Sequence, residues 1–171
     1  MSWRLGCLLV VVVALLCSCG GKEPPTAQEG EAGEAYEVVE PDLPADASPT
    51  QVAEALFAAL DAEDAPRLRG LAARRAITED VNRIGRGRLR FSETKAVGLA
   101  LAGWGATYVF IEAGSTGIVE EQIRGDHASV FADCRNDADG KPRRLEVELA
   151  REEEGWRVSR LVPTGAGPPA R

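Results

Sequence analysis

The chain has 171 residues, 20 Lys and Arg against 27 Asp and Glu, a net charge of −7, four cysteines and one histidine. The length suits one modest domain, and a lone histidine with scattered cysteines excludes His- or Cys-rich zinc sites. The acidity is local: residues 20–49 hold one lysine against eight carboxylates, whereas from Thr50 onward 18 cations nearly balance 19 carboxylates.

At the start, Met1 to Arg4 carries one positive charge and Leu5 to Leu16 is an uncharged apolar run. Twelve residues match a secretory h-region and fall short of a span across about 30 Å of hydrocarbon. No later stretch is an uncharged run of 18 residues, so no second span is expected. Leu16-Cys17-Ser18-Cys19-Gly20 directly follows the run and resembles the lipobox of bacterial lipoproteins. The resemblance implies diacylglyceryl attachment at Cys19, cleavage before it, and membrane anchoring at the cell envelope through the acylated Cys19. Gly20 in place of Asp favours the periplasmic face of the outer membrane if the cell is Gram-negative. An ordinary cleaved signal peptide is the alternative. In either case Cys7 and Cys17 leave with residues 1–18. With Cys19 carrying lipid, Cys134, at period two after Ala128, Val130 and Ala132, is the lone thiol and is expected to be buried near a strand end.

Residues 19–47 read as an acidic tether rich in Pro and Gly, with Tyr36 its only aromatic. A domain over 48–163 follows, then a Gly- and Pro-rich tail over 164–171. Ser48, Pro49 and Gln51 predict a capped helix start, with Val52, Ala53, Leu56, Phe57 and Leu60 as its apolar stripe. Asp64 and Pro66 predict a second short helix carrying Leu68 and Leu71. A third, Thr78 to Ile84, is expected with Thr78 as cap and Val81 and Ile84 facing inward. Ser92 to Ala102 reads either as a helix capped by Ser92 or as a loop.

Beyond Gly105 the period changes to two. Strands are expected at Tyr108–Ile111, Ile118–Ile123, His127–Cys134, Arg143–Ala150 and Trp156–Val162. Helices first and an antiparallel meander afterwards predict an α+β domain, with helices packed on one face of a curved sheet. The opening helix with Glu63 to Leu68, then Gly125 to Val130, Leu145 to Leu149 and Glu154 to Val158, resemble the nuclear transport factor 2-like family, a cystatin-like roll. Arg86 to Gly117 matches that pattern poorly.

Enzymes of that roll, such as ketosteroid isomerase-like and polyketide cyclase-like proteins, place an Asp or His base and often a Tyr donor in the cone between sheet and helices. No base and donor here match either family residue by residue, and His127 begins a strand after a Gly-Asp turn, a common exposed position. Trp104, Tyr108 and Trp156 are candidate pocket-lining residues, with core packing an equal reading. Asp137, Asp139 and Glu146 only partly fit a calcium loop: Arg135 stands at the first ligand position, so no metal and no other cofactor is expected. Arg83, Arg86, Arg88 and Arg90 are candidates for contact with anionic groups, against solvated surface as the plainer reading. An exported chain without a phosphate-cradling motif is not expected to bind nucleic acid. The sequence therefore favours a lipid-anchored domain that binds a partner protein or small ligand without catalysis, with a roll-type enzyme as the alternative.

Overall fold

A computed structural model describes residues 39, 42–44, 46–85 and 90–166. Cys19, most of the tether, the last five residues, Arg86 and Arg88 lie outside the described residues. The first helix, α1 (Pro49–Asp61), starts as expected: Ser48 Oγ accepts from Gln51 N at 3.3 Å and Gln51 Oε1 accepts from Ser48 N at 2.8 Å. A second contact reinforces that terminus from far along the chain. Glu121 Oε2 accepts from both Thr50 N (2.9 Å) and Thr50 Oγ1 (2.7 Å), placing a carboxylate on the positive end of the helix dipole. Glu121→Ala is expected to cost about 1 kcal/mol, read as a lower urea midpoint at unchanged slope.

The second helix, α2 (Ala65–Leu71), has Asp64 as its cap, Oδ1 accepting from Arg67 N at 3.0 Å, and buries Leu68 and Leu71 as expected. The third, α3 (Arg74–Ile84), corrects the reading of Thr78 as a cap. Glu152 Oε1 accepts from Arg75 N (3.0 Å) and Ala76 N (3.4 Å), so the helix begins one turn earlier. Thr78 Oγ1 instead donates to Arg74 O at 2.7 Å. Ile77 is the buried residue of this helix, Val81 is half-buried, and Ile84 faces out rather than in.

The fourth, α4 (Glu93–Tyr108), resolves the ambiguous stretch as a helix, Ser92 Oγ accepting from Lys95 N at 3.4 Å. It also overturns the strand expected at Tyr108–Ile111: Tyr108 is the last helical residue, and Ile111 makes only an isolated bridge to Asn136. Val97, Leu101, Trp104 and Tyr108 recur at helical spacing toward the core, and burial of that stripe outweighs the strand propensity of Val109, Phe110 and Ile111.

Four antiparallel strands follow, β1 (Gly117–Arg124), β2 (His127–Arg135), β3 (Pro142–Glu152) and β4 (Gly155–Ala166), paired in chain order as a meander. In the β2–β3 loop Gly140 takes φ +65°, and Asn136 Oδ1 accepts from Ala138 N and Asp139 N. The positive φ requires glycine there at little cost. Along β2 and β3, Ala128, Val130, Ala132, Cys134, Leu145, Val147 and Leu149 are buried in one core cluster with α1 and α4. The architecture is thus α+β, helices before an open antiparallel sheet. The β4 edge is covered locally, where Ala73 N donates to Val158 O at 2.8 Å. Among the described residues, no helix is long and apolar enough to cross a membrane.

Candidate functional site

The space between helices and sheet is occupied by side chains. Trp104, Tyr108 and Trp156 are 3%, 7% and 8% exposed and belong to the same core cluster as Leu56, Phe57, Val147 and Val158. The three aromatics expected as candidate pocket lining are therefore core residues. Phe57 and Tyr108 stack, ring centroids 6.1 Å apart. Trp156 borders a water-sized gap of about 30 Å³ shared with Leu43, Pro44 and Ala47.

A polar tie borders this layer. Tyr108 Oη donates to Asp61 Oδ1 at 2.9 Å, and Gly114 N donates to Asp61 Oδ2 at 3.2 Å, joining the ends of α1 and α4 to the loop before β1. Burial first, and then the bond to Asp61, hold the Tyr108 hydroxyl well above its ordinary value. A phenol so disposed stays protonated and donates; it does not serve as a base near neutrality. Its folded value exceeds the unfolded value of about 10, so its stabilising contribution is complete below about pH 10 and is lost as the pH rises above that. Tyr108→Phe is expected to cost about 1–2 kcal/mol at pH 7 and to flatten the alkaline fall in stability. Thermal melts at pH 7 and pH 11 measure both effects.

The outward face of the sheet is different in kind. Cross-strand register places Gln122 beside Ser129, Arg124 beside His127, and Phe131 beside Glu146, all on the side away from the core cluster. These six side chains line a shallow depression of about 290 Å³. Arg124 Nη2 donates to Gln122 Oε1 at 3.3 Å, and Gln122 Nε2 donates to Glu120 Oε1 at 2.7 Å, so the β1 side of the depression is a hydrogen-bonded row. Its floor offers a half-buried aromatic ring, and its rim offers both charges. That combination suits a polar or zwitterionic ligand, or a peptide segment, held by hydrogen bonds and stacking.

His127 is exposed on this face, as its position after the Gly-Asp turn implies. Cys134 is a buried free thiol whose Sγ lies 3.6 Å from Arg143 O. Burial pushes its ionisation up, which disfavours the reactive thiolate. Cys134 is buried in the core layer and His127 is exposed on the opposite face, so they form no nucleophile–base pair.

The arginine group is only partly gathered. Arg83 is exposed and paired with Asp80, which also accepts from Arg160 Nη2 at 3.1 Å and so ties α3 to β4. Arg90 is exposed at the approach to α4. Among the described residues, no group of three or more His, Cys, Asp or Glu is arranged to hold a metal ion. No protein-family model matches the chain, and comparison with curated proteins finds no match.

The sequence reading missed Gln122, Arg124, Ser129, Phe131 and Glu146 as a set. Their signal was available in the period-two alternation of β1 and β2, which assigns the complement of the core residues to one shared face.

Proposed function

We propose that this protein is a bacterial envelope lipoprotein, anchored through acylated Cys19, whose domain binds a partner protein or small ligand without catalysis. The observation that carries the non-catalytic reading is the filled layer between helices and sheet. A roll-type enzyme needs a polar cavity at that place, and here Leu56, Phe57, Trp104, Tyr108 and the inner residues of β2 and β3 occupy it. The finer fold assignment, a nuclear transport factor 2-like roll, belongs to the same proposal. The order of helices and meander supports it, as does Trp156 placed directly after the tight β3–β4 turn. The chain departs from it in ending α4 where a further strand was expected.

The binding surface is the depression around Phe131. A photoreactive residue placed at Phe131 in cells is expected to give a specific adduct, while one at exposed Glu54 on α1 gives none. Equal yields from both positions, or no adduct from position 131, would contradict this surface.

A further inference from the structure

From Ala96 on, apolar and small residues run around α4. Between Lys95 and Glu112 the chain carries no charged side chain. A helix of that pattern is normally covered on every side. Here Ala96, Val97, Trp104 and Tyr108 are buried, and the opposite side is open. At 100° per residue, Lys95, Leu99, Ala102 and Ala106 fall along that open side, the αR cap residue Val109 continues it, and Phe110 follows in the turn after the helix. Leu99, Val109 and Phe110 are 50%, 68% and 61% exposed. Leu99 on the helix, with Val109 and Phe110 just past its last residue, forms an exposed apolar strip, and a strip of large apolar side chains marks a contact surface.

The chain beyond the structure indicates what covers this face. On the anchor reading, on which this inference rests, Cys19 sits in a bilayer and 22 residues separate it from Asp42. A chain of that length reaches at most about 75 Å, more than the width of a domain this size. The lipid surface is then always within reach, and a face with modest affinity for it is engaged most of the time. Lys95 leads the open side and Arg90 precedes the helix, both exposed, as cations at the lipid head groups require. By the same rotation Glu93 falls on the other side, and Glu112 is held by Arg135 at 2.8 Å. A second copy is a poorer occupant. The strip is about 24 Å long and roughly 10 Å wide, far below the ~800 Å² per partner of a stable interface.

We propose that the open side of α4 lies on the membrane that holds the anchor, with Leu99, Val109 and Phe110 at the boundary of head groups and acyl chains.

The test uses the chain from Cys19 onward on vesicles of phosphatidylethanolamine and phosphatidylglycerol. It is held by its own acyl groups or, if it carries none, by coupling Cys19 to a maleimide lipid; buried Cys134 does not compete. Phe110→Trp is compared with Phe131→Trp on the far side of the sheet, after subtracting the emission of the unsubstituted chain. Brominated acyl chains are expected to quench and blue-shift the tryptophan at 110 and to leave that at 131 unchanged. Leu99→Asp in the Phe110→Trp background is expected to abolish the quenching while circular dichroism stays unchanged. Absence of quenching at 110 in vesicle-bound protein overturns the inference. So does a blue shift that grows with protein density without quenching, which would indicate a second copy. Failure of the anchor reading shows separately, as a mature mass without acyl groups.

Discussion

Cys19→Ala is expected to abolish incorporation of labelled palmitate and to leave the product with its first 18 residues attached. The expectation follows from the position of Cys19 after Leu16-Cys17-Ser18, at the end of the apolar run. Its size follows from the hydrocarbon involved. Each buried CH₂ contributes about 0.8 kcal/mol, so one acyl chain holds a protein marginally and two or three hold it essentially permanently. The change is therefore close to all or none. Cys17→Ala is the control, since on the anchor reading that residue leaves with the signal peptide and carries no lipid. Loss of labelling in both variants would indicate a general export defect.

Trp104→Ala is expected to destabilise the domain by about 3–5 kcal/mol, as truncation of a large aromatic in a packed core does. The side chain is 3% exposed and packs in the cluster that joins α4 to α1 and the sheet. Against a total stability of about 5–15 kcal/mol, that loss is a large fraction of the whole. It corresponds to a fall of more than about 12 °C in the thermal midpoint, at roughly 4 °C or more per kcal/mol for a domain near 100 residues. A tryptophan lining an open pocket would behave otherwise, because truncation there removes few contacts and shifts stability within about 0.5 kcal/mol. Thermal melts followed by far-UV circular dichroism distinguish the two. Trp104→Phe, which keeps a ring in place, is expected to cost markedly less than Trp104→Ala.

Local signals in the sequence were legible, and signals carried across the chain were not. The capping box at Ser48 and Gln51 spans four residues and is present as read. Asp64 with Pro66 opened α2 in the same way. Thr78 was misread because the group that caps α3 is Glu152, the last residue of β3, and no window around residue 78 contains it. Glu121 at the start of α1 is the same kind of contact, formed only once β1 lies beside that helix.

The error at Tyr108 has a different origin. Gly98, Gly103 and Gly105 weaken helix propensity by about 1 kcal/mol each relative to Ala, and Val109-Phe110-Ile111 favours a strand. Burial of Trp104 and Tyr108 against the sheet decides the matter, and that gain exists only in the assembled domain. The same assembly turned three aromatics from candidate pocket lining into core. Of the surfaces the structure leaves open, the face around Phe131 was encoded in alternation. The open side of α4 was encoded in an uncharged run whose amphipathic partner face the sequence does not distinguish.

The anchor is tested most directly by the intact mass of the wild-type protein from a host that processes lipoproteins. A chain beginning at Cys19 and carrying added diacylglyceryl and acyl mass is expected. An unmodified chain, or one that retains residues 1–18, would contradict it and would make the domain a freely secreted or intracellular protein.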